Sequence, residues 1–292
     1  MIGFIAFAGD AFRAAGLAFA QPSPYDAQNR SGGEGPLSEL NSLERVLALL
    51  DVFTEERLEW TPDELMAELG YSRPTLYRYL KTLKEAGFLT SMPTGGFTLG
   101  PRVVEMDFLM RKSDTLVQYA QPWLESFAAD YPCAALLVRW YGTKQLVVAS
   151  ECTTPGHENE YPRGRPLPLA RGATSRAIMA YMTRRKLQAH IETNLPELVE
   201  IGLGASVEEV MDELRRVRRR GYAAAHGDVT RDMTGIASPI FDGGSSPVAT
   251  FCITIYTGRT TPELIDRIGK RVSDVAADLS ARLAENRLAA SA

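Results

Sequence analysis

Gly70-Tyr71-Ser72-Arg73-Pro74-Thr75-Leu76-Tyr77-Arg78-Tyr79-Leu80-Lys81-Thr82-Leu83-Lys84-Glu85-Ala86-Gly87 reads as one short helix with a marked start and a marked stop. Leu76, Leu80 and Leu83 recur at the spacing that buries one helical face against a small core. The rest of the surface carries Arg73, Thr75, Tyr77, Arg78, Lys81 and Lys84, with no acid before Glu85. A helix anchored on one side and basic on the other suits insertion into a DNA groove.

The residues before and after this helix complete a motif. Leu43, Val46, Leu47, Leu50 and Phe53 predict a helix over Ser42 to Phe53. Thr61-Pro62-Asp63-Glu64 is a helix start, with Leu65, Met66 and Leu69 facing inward and Gly70 ending it. Ser72 then caps the third helix. Phe88 to Met92 and Phe97 to Leu99 flank Pro93-Thr94-Gly95-Gly96, a strand–turn–strand signal. Three helices and a hairpin in that order make a winged helix-turn-helix over residues 40–100.

Charge within this domain is sorted. Asp51 to Glu68 carries Asp51, Glu55, Glu56, Glu59, Asp63, Glu64 and Glu68 against Arg57, whereas Tyr71 to Lys84 carries four bases and no acid. A polyanion is therefore drawn to the third helix and kept from the other faces. The Ser72 hydroxyl and nearby amides would hold a phosphate, and Arg73, Thr75, Tyr77 and Arg78 would reach base edges. Lys81 or Lys84 would sit on the backbone, and Thr94 at the wing tip in the minor groove. Affinity scales with the phosphates neutralised, so four bases per copy imply a homodimer or a dimer of dimers on a repeated or palindromic site.

The remainder of the 292 residues has a different pattern. Pro101 to Lys112 and Leu116 to Tyr131 read as helices broken near Ser113-Asp114, giving a linker over 101–115. Strands are expected over Cys133 to Trp140, Gln145 to Cys152, Gly221 to Ala225, Gly235 to Phe241 and Val248 to Tyr256. A Pro/Gly-rich loop runs through Pro168. Helices are expected over Gly172 to Met182, Val207 to Arg220 and Pro262 to Arg287. The mixed order predicts an α+β domain with an antiparallel sheet over residues 116–288.

Composition sets outer limits. The net charge of −4 means that any DNA binding comes from local charge placement. Three widely spaced cysteines, Cys133, Cys152 and Cys252, suit reduced thiols in a cytoplasm. Met1 to Ala20 is apolar, but Asp10 and Arg13 interrupt it and no base precedes it, so residues 1–39 read as a dispensable leader and linker rather than a signal peptide.

Several motifs together resemble the isocitrate-lyase-regulator (IclR) family: Ser42 to Leu50, Tyr77-Arg78-Tyr79-Leu80, Glu85 to Leu89, Phe97 to Gly100, Leu167-Pro168-Leu169, Gly172 to Met182, Gly221-Tyr222 and Gly235 to Asp242. The resemblance implies a bacterial transcription factor with a GAF-like C-terminal domain that binds a small-molecule effector, often an organic acid. The family's effector positions match Ala173, Thr174, Ala225, Asp228, Gly235, Cys252 and Thr254. Arg171 beside the helix start at Gly172 to Thr174 reads as a carboxylate grip, because a guanidinium and amide dipoles converge there. Its bland alternative is a surface ion pair. Members that bind small keto acids carry an acid at the Ala225 position and a cysteine at the Gly235 position. The departures here favour a larger or more apolar effector, such as an aromatic acid.

Other chemistry finds little support. Cys152, His157 and Asp228 fit no zinc spacing, and Cys133 has no neighbouring base, so no metal, cofactor or catalytic residue is expected. The run Arg215 to Arg220 suits a helix C-terminus, and Gly243-Gly244 a hairpin turn. A sensory module whose helix-turn-helix binds protein rather than DNA is the alternative function.

Overall fold

The computed structural model describes residues 41–154 and 160–291. The leader read over residues 1–39 and the His157 of the rejected zinc set lie outside the described residues. Among those described, no helix is long and apolar enough to cross a membrane.

Local capping explains where the first elements start. Helix α1 (Ser42–Asp51) opens with the Asn41 side chain accepting from the Leu43 and Glu44 amides, while Glu44 accepts from the Asn41 amide at 2.8 Å. Helix α2 (Pro62–Leu69) repeats the device with Thr61 and Glu64, and ends on Gly70 in the left-handed region at φ 62°. Helix α3 (Arg73–Glu85) follows after two residues. Leu49, Leu65, Leu69, Leu76, Leu80 and Leu83 meet in one core, to which Tyr79 adds an edge-on contact with Tyr71 at 5.8 Å. Only part of the apolar series in α1 faces inward. Leu49 is its buried residue, whereas Leu43 and Leu47 are 77% and 60% exposed, because a helix centred on Leu49 turns them to its flank.

Strands β1 (Leu89–Ser91) and β2 (Phe97–Leu99) form the wing. Trp60 adds a third rung by exchanging backbone hydrogen bonds with Phe97. Gly100 ends the wing, and its amide donates to the Phe88 carbonyl at 2.7 Å. A Cβ there would stand 2.2 Å from the Gly87 carbonyl oxygen. Its φ of −94° is open to any residue, so space rather than conformation requires glycine. Gly100→Ala is expected to destabilise the winged domain by about 1–3 kcal/mol, read as a lowered first transition in calorimetry; an unchanged transition would show that the strand simply shifts.

Helix α4 (Pro101–Ser113) buries none of its residues, and Asp114 breaks it from α5 (Thr115–Asp130). Asp114 caps α5 at the Leu116 and Val117 amides and pairs with Arg139 at 2.5 Å. Beyond lie β3 (Cys133–Trp140), β4 (Gln145–Cys152), β5 (Pro166–Leu167), α6 (Gly172–Met179), α7 (Arg184–Glu200), α8 (Val207–Arg220), β6 (Ala223–His226), β7 (Met233–Ile240), β8 (Ala249–Tyr256) and α9 (Pro262–Ser291). The six strands form one antiparallel sheet in the order β5-β4-β3-β8-β7-β6.

Strand alternation divides the packing between two faces. Phe251, Ile253 and Ile255 join Leu116, Leu124, Phe127, Ile268, Val272 and Leu279 under α5 and α9. Cys252 faces the opposite cluster with Leu136, Ala173, Leu198, Val210 and Leu214, under α6, α7 and α8. The result is a three-layer α+β domain. Helix α7 has no counterpart in the sequence reading. Pro196 sits inside it, yet Ile191 and Leu198 on either side are fully buried, and their packing outweighs the local penalty.

Candidate nucleic-acid interface and effector cavity

On α3, Ser72, Arg73, Tyr77, Arg78, Lys81 and Lys84 are exposed and Thr75 is half-buried. Arg73 lies 5.6 Å from the Tyr77 ring and Arg78 5.2 Å from the Tyr79 ring. Ser72 stands at the N-cap but bonds no helix amide; its hydroxyl donates instead to the Thr75 hydroxyl at 3.0 Å. That leaves the first-turn amides of α3 without a side-chain cap. Lys81 faces Glu85 at 3.8 Å, and Lys84 donates to Ser91 at 2.8 Å, tying the helix to the wing. Thr94 is turned to Glu59, whose carboxylate accepts its hydroxyl and lies against Gly96. The wing tip thus carries an acid, an unfavourable neighbour for a phosphate.

In the C-terminal domain a cavity of about 40 Å³ lies between the start of α6 and the sheet. Gly172, Ala173, Thr174, Ala225, Asp228, Gly235, Cys252 and Thr254 all border it, so β6, β7, β8 and the α6 N-terminus meet there. Arg171 does not. Its guanidinium pairs with Glu197 and Glu200 of α7, both at 2.5 Å. The carboxylate grip assigned to it is corrected accordingly: two acids on the unread helix α7 hold the side chain away from the cavity.

The anchor of the α6 start is a different pair. Asp228 accepts from the Gly172 amide at 3.2 Å and from Arg176 at 2.8 Å, and Arg176 also donates to the Ala224 carbonyl at 3.0 Å. Both ions are well buried, their side chains 13% and 4% exposed. Gly172 itself is left-handed at φ +88°, and a Cβ on it would stand 2.7 Å from Val229 Cγ2. Ala173 and Thr174, in the first turn of α6, border the cavity; the N-cap residue Arg171 makes no capping bond there, and Asp228 takes the Gly172 amide.

The other walls are apolar or neutral. Leu136, Leu167 and Met233 contribute hydrocarbon, and Ala225 and Gly235 contribute little volume. Tyr161 is buried, its hydroxyl paired with Thr230 at 2.9 Å and pushed up to about 12 by burial. Burial likewise pushes the Cys252 thiol up to about 12, which keeps it neutral. Tyr161, Val229 and Thr230 were not legible as wall residues. Tyr161 comes from the Pro/Gly-rich loop, and the other two from the turn after Asp228. Among the described residues no group of three or more His, Cys, Asp or Glu is placed to hold a metal ion.

Below the cavity, Leu169 is fixed twice, by the Ser175 hydroxyl and by His190 Nε2 at 3.1 Å. Neutral His190 with the proton on Nε2 satisfies this carbonyl and leaves Nδ1 facing Asn194 Nδ2 at 3.4 Å. Burial lowers its pKa, so the unfolded chain takes up the proton first on acidification. This contribution to stability is complete above about pH 6.5 and is lost as pH falls below it. His190→Gln should flatten that part of the melting-temperature profile; an unchanged profile would exclude His190 as its source.

Residues 42–93 match the model of the IclR helix-turn-helix domain, and residues 110–281 that of the bacterial transcriptional regulator IclR C-terminal domain. The HTH-type transcriptional regulator KipR of Bacillus subtilis is 25% identical over 239 residues, covering 81% of this chain and 94% of that protein. A crystal structure of an IclR transcriptional regulator from Alicyclobacillus acidocaldarius superposes with a TM-score of 0.69 at 22% identity, covering 84% of this chain and 99% of the other. An IclR homologue from Microbacterium hydrocarbonoxydans, complexed with 4-hydroxybenzoate, has the same fold with a TM-score of 0.69 at 20% identity, covering 83% of this chain and 100% of the other.

Proposed function

Because this chain belongs to the IclR family of bacterial transcriptional regulators, with a DNA-binding helix-turn-helix domain and a C-terminal effector domain, we propose that it controls transcription in the cytoplasm in response to an organic, and specifically an aromatic, acid. It performs no catalysis and needs no cofactor. The observation that carries the effector reading is the cavity itself: the α6 start at Gly172, Ala173 and Thr174 at one end, and apolar walls with Ala225 and Gly235 elsewhere. Such a site favours a carboxylate attached to an apolar body.

DNA is bound through Arg73, Arg78 and the start of α3, with Ser72, Thr75, Tyr77 and Lys81 around them and Thr94 at the wing. Two or four copies act together. Outward apolar residues support this: Leu43 and Leu47 on α1, and Val104, Phe108, Leu109 and Met110 on α4, are each more than half exposed. A run of that kind is costly in water and is covered when two copies meet.

Fluorescence anisotropy with duplexes enriched from a randomised library tests the DNA half, and affinity is expected to fall steeply with salt. Failure to enrich any duplex, or a flat salt response, would overturn it. Thermal shift with 4-hydroxybenzoate, other aromatic and aliphatic acids, and the uncharged 4-hydroxybenzamide tests the effector half. A ligand at about 100 times its Kd stabilises by roughly 2.7 kcal/mol. Stabilisation by the amide but by no acid would refute the carboxylate assignment.

A further inference from the structure

The cavity wall and the linker helix meet in one short turn. Tyr161 borders the cavity and shares a hydrogen bond with Thr230, which borders it too. Two residues later, Arg163 Nε donates to Asp107 Oδ1 of α4 at 2.7 Å, and Arg163 Nη1 donates to the Val148 carbonyl of β4. The turn between them is stiff. Arg165 donates to the Pro162 carbonyl at 3.1 Å, Gly164 donates to the Val147 carbonyl at 2.8 Å, and Val147 donates back to Arg165 at 3.0 Å. Movement of the Tyr161 ring therefore reaches Arg163 with little room for absorption.

Helix α4 is a sensitive receiver. Its side chains are nearly all exposed, and Arg163 is 16% exposed where it meets Asp107. At its other end α4 is fastened to the winged domain, where the Arg102 amide donates to the Gly87 carbonyl at 3.0 Å. A shift of α4 carries that domain with it.

The size of the cavity supplies the drive. About 40 Å³ is far below the roughly 150 Å³ of an engineered cavity that takes up benzene. Leu136, Gly235, Cys252 and Thr254 lie on central strands and cannot retreat, and Asp228 with Arg176 pins the α6 start. The walls not built into the sheet are the Tyr161 side chain and the Val229-Thr230 loop, where Val229 is 40% exposed.

We propose that Arg163 is a positioning residue for the linker helix: an aromatic acid entering the cavity displaces Tyr161, draws Arg163 off Asp107 and frees α4. The ligand-driven step rests on the effector reading above; the mechanical link from Tyr161 to α4 does not.

Hydrogen exchange of the full chain, read over residues 101–113, tests both. Without added ligand, Arg163→Met and Tyr161→Ala are each expected to raise exchange there about tenfold, leaving α9 protected as in the wild type. Arg163→Lys, which keeps a charged donor beside Asp107 and the Val148 carbonyl, should retain most of the protection that Arg163→Met loses, which a loss of fold would not. Saturating 4-hydroxybenzoate should deprotect 101–113 in the wild type and add nothing in Arg163→Met, although the ligand still raises the melting temperature of both. Wild-type protection of 101–113 in Tyr161→Ala, or an undiminished ligand response in Arg163→Met, would overturn the proposal. If 4-hydroxybenzoate gives no thermal shift, its choice as effector fails, and the two variants without ligand still decide the link.

Discussion

Replacing both Arg73 and Arg78 by alanine is expected to weaken binding of the specific duplex by about 30-fold or more per protomer, since an arginine reading a base edge is worth about 1–3 kcal/mol. The fold should survive. Both side chains are exposed on α3, on the side away from the core of Leu76, Tyr79, Leu80 and Leu83. Exposed substitutions of this kind change stability by about 0.5 kcal/mol or less. The contrast with neighbouring bases is informative. Lys81→Ala should weaken all duplexes alike, as a backbone contact would, and reduce the salt slope. Thr94→Ala should do less still, because Thr94 already donates to Glu59 at the wing tip. Anisotropy with the selected duplex and a scrambled one separates the effects. An unaltered footprint for the double arginine variant would refute the assignment of both residues to base edges.

The second large effect is expected in the effector domain. Asp228→Ala should cost about 3–5 kcal/mol, the usual result of leaving one member of a buried ion pair alone. Arg176 would keep the Ala224 carbonyl, but among the described residues its Nε is already buried without a partner and no other acid pairs with it. Asp228 also receives the Gly172 amide, so the same change loosens the α6 start that borders the cavity. A drop of roughly 10 °C in the second calorimetric transition is anticipated for a domain of this size. Removing both charges, with Asp228→Leu and Arg176→Met, should return most of the loss, because apolar replacements of buried pairs are often neutral. A single Asp228→Ala variant that melts with the wild type would show that the pair contributes nothing to the fold.

Much of the DNA-binding domain was legible because its signals are local. Asn41 with Glu44, and Thr61 with Glu64, lie three residues apart and cap helices without outside help. Gly70 ends α2 in a conformation that other residues adopt at a cost. The cavity was partly legible for a related reason. Alternation along β8 separates Cys252 and Thr254 from Phe251 and Ile253, whatever packs on either side. Arg171 shows where such reasoning stops. Its direction depends on Glu197 and Glu200, which belong to a helix that Pro196 disguises. One unread helix was enough to misdirect one candidate residue.

By itself the sequence determined the elements of the winged domain and the separation of acids from bases around α3, since each of these rests on neighbours within a turn or two of chain, while motifs spread from Ser42 to Asp242 marked the family. Only the tertiary structure decided which charges pair. Arg176 with Asp228, Arg171 with α7 and Arg163 with Asp107 are separated by 52, 26 and 56 residues. Which acid each arginine meets is set by the packing that removes water from between them, and packing is a property of the folded layers rather than of any stretch of chain.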